Sequence, residues 1–287
     1  MPEASAAGPW RSAAERLAAS AAARAALALL CGLVLFALLA PALSPWRPDG
    51  LDWQHLAASP GAAGGHWLGT DRLGRDLLVR SAAGLRLSLA VSVLASLVSL
   101  AIGVSYGAIA GFAGPRTDGA MMRFVDVLYA MPYLFIVIIL TSLFPRGSLT
   151  VLFVALGAVG WLTTARLVRG QARALRHREF ILAARTLGLA PAALLVRHAV
   201  PNLLGPVVAY ASLAVPQMIL FEGFLSFLGL GVQEPNASLG NLIAQGAQEM
   251  SSAPWMLIVP SGLLVLLILS LNLLGDALRD ALDPREH

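Results

Sequence analysis

The sequence predicts an all-α integral membrane protein with six transmembrane helices. Its 287 residues are 57% apolar and only 13% charged, which is more apolar than a soluble domain of this length can bury in one core. It also contains six long runs without Asp, Glu, Lys or Arg, and about 20 such residues in a helix cross roughly 30 Å of hydrocarbon. Because the runs are continuously apolar rather than alternating, helices are favoured over the strands of a barrel. The runs lie between Arg24 and Arg47, Arg86 and Arg116, Asp126 and Arg146, Arg146 and Arg166, Arg197 and Glu222, and Glu249 and Asp276.

The first run admits two interpretations. Basic residues up to Arg24 precede it, as they precede the apolar segment of a signal peptide. The run is longer than that segment usually is, so we expect a retained membrane helix. A Gly- and Pro-containing connector at 59–65 then marks a boundary. We therefore expect residues 1–65 to form a cytoplasmic tail, the first helix and an outer linker, and residues 66–287 to form a transmembrane domain.

The second helix is predicted to begin within an interfacial segment. Residues 73–89 are expected to form a helix along the membrane surface, with arginines that reach toward lipid headgroups. Further along the second run, the small residues Gly103, Ser105 and Gly107 are expected at helix contacts. The glycines and proline of residues 111–119 favour a tight reversal into the third helix.

The arginines orient the predicted helices. Short loops rich in Arg prefer the cytoplasm, and the loop from Arg166 to His198 carries seven arginines against one acid, Glu179. Placing this loop inside puts both termini in the cytoplasm. Four arginines before the second helix then fall on the outer side, against the rule, and two aspartates offset them only in part. These residues are Arg72, Arg75, Arg80 and Arg86, with Asp71 and Asp76.

Several classes of function are disfavoured by what the sequence lacks. All 20 residues of the Lys and Arg class are arginine, so the lysine of a phosphate-binding P-loop is missing and ATP must be hydrolysed elsewhere. Cys31 has no partner for a disulfide or a thiolate metal cluster, and we interpret it as a packing residue. H-E-x-x-H does not occur, and G-x-S-x-G occurs only at residues 103–107, inside an apolar run and not at a strand-to-helix turn, so we expect no nucleophile elbow and no enzyme. We expect no metal site either, since His55 and His66 lie outside the apolar runs, and we expect no cofactor in this chain and no nucleic-acid partner.

The central Arg-rich loop has the composition of two short helices. Gly188 interrupts the first, and Pro191 suits the first turn of the second. Small Ala183 and Ala184 permit close approach to a partner. Such a pair of helices either protrudes from the membrane or lies flat on anionic lipid, and its arginines are compatible with both arrangements.

Four segments of the chain resemble a known family. Residues 179–188, EFILAARTLG, followed by 197–202, RHAVPN, look like the "EAA" loop shared by permeases of binding-protein-dependent ABC importers. Residues 66–76, HWLGTDRLGRD, are similar to the C-type permeases of dipeptide, oligopeptide and nickel importers. Residues 225–232 and 272–280 resemble further segments of that family, so the resemblance covers most of the chain from about His66 to Arg285.

The resemblance implies a type I ABC importer permease fold and a set of partners. A second, B-type permease would pair with this chain, two ATP-binding subunits would carry ATP and Mg, and an extracytoplasmic solute-binding protein would deliver the solute. The coupling loop would span residues 178–201. Its site residues, carried over from the family's loop, are Glu179, Ala183, Ala184, Arg185, Gly188, Arg197, His198 and Pro201. Leu182 stands where the family often has its first Glu, which removes that residue's polar contacts.

The resemblance also gives the expected function. We expect half of a translocation path for di- or oligopeptides across the bacterial inner membrane, with nickel chelates, glutathione or other small solutes as alternatives in the same family. A self-sufficient secondary transporter is the rival class, in which charged residues at membrane depth would relay ions. Asp126 and Glu222 are the candidates for such a role or for a path. Their milder interpretations are an ion pair of Asp126 with Arg123 and contact of Glu222 with interfacial water.

Proline is the last feature of note. Pro201, Pro206 and Pro216 lie in or beside the fifth run, and a proline inside a helix removes a backbone hydrogen bond. We expect either a hinge or a permanent bend there.

Overall fold

The computed structural model describes residues 9–61, 64–144 and 148–282, and all regular structure within them is helical. Five of these helices are long and apolar enough to cross a membrane. They correspond to five of the six predicted runs. The helices are α1 (Pro9–Ala19), α2 (Ala21–Leu43), α3 (Leu77–Phe112), α4 (Pro115–Ala130), α5 (Tyr133–Leu143), α6 (Leu149–Arg176), α7 (Glu179–Thr186), α8 (Pro191–Leu194), α9 (Val200–Phe227), α10 (Leu239–Gln248) and α11 (Trp255–Leu282), with a π-helical turn over Leu195–Ala199 between α8 and α9.

The remaining predicted run is built from two helices instead of one. α4 ends at Ala130 and α5 begins at Tyr133, with Met131 and Pro132 extended between them. Pro132 has no backbone N–H, and a proline also disfavours the helical conformation for the residue before it. The six-run architecture is therefore retained, with a break in the third run.

Helix starts follow local capping chemistry. Ser20, Asp76 and Ser148 each accept a hydrogen bond from the backbone N–H three residues on, at the starts of α2, α3 and α6. α10 begins with a reciprocal capping box between Ser238 and Asn241. The prediction of an interfacial helix over 73–89 is wrong in its start, because Asp76 caps α3 and the helix runs without interruption from Leu77 to Phe112.

α3 and α6 pack with their backbones in close contact. Gly103, Gly107 and Gly111 lie on one face of α3, and a Cβ added at any of them would come within 3 Å of atoms of α6. This is the small-residue packing that brings membrane helices together. The packing role expected for Gly103 and Gly107 is confirmed, whereas Ser105 is exposed and donates only to the Ala101 carbonyl of its own helix.

Much of the remaining helical surface is apolar and exposed. Leu35 and Leu38 of α2 and Ile258 and Val265 of α11 each expose more than half of their surface. A bilayer is the solvent that covers such faces without cost. α9 continues through Pro206 and Pro216 as a single helix.

The segments between the helices at one end of the bundle form a layer of their own. We call residues 44–61, 64–76 and 228–254 the loop layer. Gly69 and Gly74 in this layer have φ near +79° and +75°, and a Cβ on Gly74 would overlap the backbone of Asp52. Only glycine fits both the left-handed conformation and the close approach, which explains two positions of the 66–76 segment.

Candidate functional site

The predicted helix pair of the central loop is present. α7 is followed by a turn at Leu187–Ala190, by α8 with Pro191 at its first position, and by the π-helical turn that leads into α9. Pro201 lies two residues after that turn and has no N–H to donate to the Arg197 carbonyl, so the regular pattern of the helix is interrupted there.

Gly188 closes α7 with a Schellman cap. Its φ is +83°, its N–H donates to the Arg185 carbonyl at 3.1 Å, and the Leu189 N–H donates to the Ala184 carbonyl at 3.2 Å. This is the 6→1 and 5→2 pairing of a left-handed helix end. A Cβ on Gly188 would meet no atom within 4 Å. Gly188 is therefore required for its backbone conformation and not for space.

Some apolar side chains of the loop are buried against the protein, and others are exposed. Ile181, Leu194 and Ala199 are buried and fix the loop to the ends of the long helices. Four large apolar side chains of the loop are exposed, and we call them the apolar loop surface: Phe180 (44%), Leu182 (46%), Leu187 (81%) and Val196 (68%). Large exposed apolar residues concentrated in one short segment are typical of a surface that another molecule covers.

The predicted site residues lie in the same segment of the chain as this surface. All eight lie within α7, its cap, the π-helical turn or the first residues of α9. Ala184 and His198 are half-buried, and the other six are exposed: Glu179, Ala183, Arg185, Gly188, Arg197 and Pro201. Leu182, at the position of the usual Glu, belongs to the apolar loop surface itself.

One ion pair and one hydrogen bond hold the end of α6 that leads into the loop. The Arg169 guanidinium donates to both carboxylate oxygens of Asp118 in α4, with Nη2 at 2.7 Å. Arg176, at the end of α6, donates to the Ala113 carbonyl at 2.8 Å. These contacts connect the end of α6 that leads into the loop with α4 and with the α3–α4 turn. Sequence analysis did not single out Asp118, because its partner lies 51 positions away.

Asp126 has a different partner from the one expected. Its carboxylate accepts from Arg166 of α6 at 2.8 Å, instead of pairing with Arg123 on its own helix. The Arg166 guanidinium also lies 4.0 Å from the centre of the Tyr129 ring, a cation–π distance. Beside this group is a cavity of about 680 Å³ whose lining includes Tyr129, Thr163 and Gln217. We call these polar residues, which lie among mostly apolar neighbours, the polar α4–α6–α9 face.

Glu222 does not contact water at the end of the fifth run. It is fully buried, and its carboxylate accepts from the Ser88 hydroxyl of α3 and the Ser226 hydroxyl of α9, each at 2.7 Å. Ser88 in turn accepts from the Leu239 N–H at 3.2 Å, and Ser226 accepts from the Val232 N–H at 3.1 Å. Glu222 thus fastens the loop layer to two membrane helices. The expectation of interfacial exposure is wrong because the 228–239 segment covers this site.

Two of the four arginines that were expected on the outer side, Arg75 and Arg80, are held in an ion-pair network. Arg75 pairs with Asp71 at 2.6 Å and with Glu234 at 2.8 Å, and fully buried Arg80 lies 3.4 Å from Asp71 and 3.5 Å from Glu234. The hydrogen bond from Arg75 holds the pKa of Glu234 below its usual value. These arginines are therefore partnered within the protein and do not extend toward lipid headgroups.

A second polar cluster of the loop layer joins residues that sequence analysis left apart. His55 and His66 both contact Asp52, and His66 also contacts Asp76. The hydrogen bond with His55 is the main reason that the pKa of Asp52 is lowered to about 2. Trp46 stacks on the His66 ring at 4.3 Å between ring centres.

Comparison with known proteins gives these features a context. The sequence model for "Binding-protein-dependent transport system inner membrane component" matches residues 103–287, and that for the N-terminal transmembrane domain of oligopeptide transport permease C matches residues 8–60. The chain is 45% identical to the oligopeptide transport system permease protein OppC of Haemophilus influenzae, over 97% of this chain and 89% of that protein. It is 47% identical to OppC of Escherichia coli K12, over 97% and 92%. It is 41% identical to the dipeptide transport system permease protein DppC of Bacillus subtilis, over 96% and 84%.

A solved structure agrees on the fold. A chain of the inward-facing MetNI methionine ABC transporter superposes with a TM-score of 0.55 at 17% identity, over 70% of this chain and 94% of that one. The predicted all-helical ABC importer permease fold is confirmed by this likeness and by the family matches. The chain belongs to the family of binding-protein-dependent transport system inner membrane components, the multi-pass permease subunits of ABC importers.

Proposed function

We propose that this chain forms half of the translocation path of an ATP-driven importer of di- or oligopeptides, and that its 178–201 loop docks onto an ATP-binding subunit. The observation that carries the proposal is the apolar loop surface. Leu187 projects with 81% of its surface exposed at the tip of a helix that Gly188 terminates with a Schellman cap. A groove of a protein partner would bury this surface.

The length of α6 argues for a loop that stands off the membrane. Its 28 residues measure about 42 Å at 1.5 Å per residue. The hydrocarbon layer is roughly 30 Å thick, so about 12 Å of helix extends beyond it. The Arg-rich end, including Arg173 and Arg176, lies in that extension. This supports a protruding loop in the cytoplasm over a helix pair lying flat on lipid, and with it the placement of both termini inside.

The polar α4–α6–α9 face supports pairing with a second permease. Charged groups at membrane depth face protein or water and not lipid. In the single chain, Asp126 and Arg166 expose 60% and 42% of their side chains, and the cavity beside them is open. A homologous B-type permease placed against this face would enclose a polar path. Asp126 then lines that path, whereas Glu222, buried on all sides, does not.

The peptide assignment rests on the relatives. Proteins named oligopeptide and dipeptide permeases share 41–47% identity with almost the whole chain.

The loop layer would receive a solute-binding protein outside the cell. The division at residue 65 separates an accessory first helix from the domain that carries the path and the coupling loop. ATP and Mg would bind only to the two ATP-binding subunits.

Reconstitution tests these roles separately. The chain is assembled in proteoliposomes with its second permease, two ATP-binding subunits and the binding protein, and uptake of a labelled tripeptide is measured. We expect uptake that requires ATP and every component, and that is lost in Leu187→Asp but retained in Leu187→Met. ATP-driven uptake of a nickel chelate or glutathione in place of the peptide would refute the peptide assignment and leave the importer mechanism intact. Transport by the chain by itself would refute the importer mechanism.

A further inference from the structure

Two histidines and an aspartate of the loop layer converge on one point. Asp52 Oδ2 lies 2.8 Å from Nδ1 of His55 and 3.3 Å from Nε2 of His66. All three ligand atoms lie within 4.8 Å of one another. Imidazole nitrogens with a carboxylate oxygen are the donor set that zinc and related transition-metal ions prefer.

The contacts of His66 orient one ring nitrogen toward the other two side chains. Its Nδ1 lies 2.8 Å from Asp76 Oδ2, and a carboxylate accepts, so Nδ1–H is the donor in that pair. Nε2 then faces Asp52 Oδ2 at 3.3 Å. A metal ion between these two atoms would use both of them as ligands.

Two of the three ligand separations are close to those of a bound metal ion. Tetrahedral ligands at about 2.0–2.1 Å from zinc are separated by about 3.3 Å. The separation of Asp52 and His66 already has this value, and that of Asp52 and His55 must open by a few tenths of an ångström. His55 can offer Nδ1 as a lone pair by keeping its proton on Nε2. Its side chain is 25% exposed and that of Asp52 14%, so the ion can enter from solvent and keep water as a fourth ligand.

The ligands are held in place before any ion binds. His66 is fully buried, stacked under Trp46, and oriented by Asp76, which is the carboxylate–histidine arrangement found behind zinc ligands. The backbone of His55 is fixed because the Thr70 hydroxyl donates to its carbonyl at 2.6 Å. Asp76 also caps α3, so the cluster is linked directly to the start of a membrane helix.

We propose that Asp52, His55 and His66 bind one zinc ion, which staples the segment after α2 to the start of α3. Asp76 is a positioning residue for His66 and not a ligand. The ion stabilises the loop layer and takes no part in ATP-driven transport. This revises the expectation from sequence that the chain has no metal site.

Cobalt titration tests the site on the full-length chain. The protein is purified through a tag without histidine, in a background in which His177, His198 and His287 are changed to Gln, and is treated with EDTA. Co²⁺ is then added while its visible d–d absorption and the tryptophan fluorescence are followed. We expect one Co²⁺ per chain, displaced by one equivalent of Zn²⁺, and a rise in Tm when Zn²⁺ is added.

Two ligand variants and one reporter variant make the test specific. His55→Ala and Asp52→Asn should each weaken Co²⁺ binding at least tenfold and abolish the rise in Tm, and both positions are exposed enough to accept the change. Trp46→Phe should remove most of the fluorescence response while leaving the d–d band. A titration without a stoichiometric band, or equal Co²⁺ affinity in His55→Ala and its background, would overturn the proposal and leave these side chains as a hydrogen-bonded cluster only.

Discussion

Arg75 Nη2 donates to Glu234 Oε1 at 2.8 Å across 159 positions of sequence. The contact is an ion pair that joins the segment before α3 to the segment after α9, and so links two parts of the loop layer. Arg80 lies behind it, fully buried, at 3.5 Å from the same carboxylate oxygen. In the proposed orientation, the pair also explains how arginines are tolerated on the outer side, where the charge rule expects few of them.

The Arg75–Glu234 pair predicts a pH-dependent stability. The pKa of Glu234 is lowered in the folded protein, so ionised Glu234 contributes to the free energy of unfolding. This contribution is fully present above the pKa of the unfolded state, about 4.3, and is lost as the pH falls through the lower pKa of the folded state. The Tm advantage of the wild type over Glu234→Gln should therefore be constant near neutral pH and disappear in acid. Thermal unfolding in detergent across this pH range measures it. The neighbouring Asn236→Ala should track the wild type, and a Tm difference for Glu234→Gln that is flat with pH would contradict the explanation.

Gly188 predicts a graded series of coupling defects. An L-residue in its left-handed conformation costs about 1–2 kcal/mol, and Asn tolerates that conformation better than other residues. ATP-driven uptake should fall most in Gly188→Val, less in Gly188→Ala and least in Gly188→Asn. Since a Cβ here meets nothing, the order should follow backbone preference and not side-chain volume. Comparison with Gly188→Ser, which is close to Ala in preference, provides the control, and full uptake in Gly188→Val would be incompatible with a coupling role.

Glu222 predicts a strong dependence of stability on its serine partners. Ser88→Ala leaves a buried carboxylate oxygen and the Leu239 N–H without this partner, which costs about 1–3 kcal/mol in the free energy of unfolding. Ser105→Ala, whose hydroxyl donates only within its own helix, should have little effect. In a double-mutant cycle, Ser88→Ala and Glu222→Gln should couple by more than about 0.5 kcal/mol. Additive effects would show that the two side chains act independently.

Close packing of α3 on α6 at Gly107 is expected to contribute to the free energy of unfolding. A methyl group here would overlap the backbone of α6 at Ala165 and Arg169, and overpacking of this kind costs about 1–3 kcal/mol. Gly170→Ala on α6 meets no atom within 4 Å and should gain up to about 1 kcal/mol from helix propensity. The free energies of unfolding of the two variants should therefore move in opposite directions. Equal changes would argue against close packing at Gly107.

Local patterns in the sequence were sufficient to predict the helices and the turn of the central loop. Charge-free runs located the apolar helices because the cost of placing a charge in hydrocarbon acts on every residue of a run. The turn at Gly188 and the helix start at Pro191 were predictable because each depends on the backbone preference of one residue. The break at Met131–Pro132 was missed because charge was the only criterion applied to that run, although the proline was visible.

The features that could not be predicted from sequence depend on contacts between residues far apart in the chain. Asp126 was assigned to Arg123 because the two are neighbours on a helix, whereas the packing of α4 on α6 brings Arg166 closer. Glu222 was placed in water because it lies near the end of its run, and the chain segment that covers it comes later in the sequence. His55 and His66 were judged singly. Only the glycine-dependent fold of the loop layer shows that they share Asp52.

Affinity purification from native membranes, with quantitative mass spectrometry of the proteins that come with the chain, tests the central claim most directly. Wild type and Leu187→Met should each retain two ATP-binding subunits for every pair of permeases, and Leu187→Asp should lose the ATP-binding subunits while keeping the second permease. ATP-binding subunits retained in full by Leu187→Asp, or absent from the wild type, would contradict the docking of this chain through its apolar loop surface.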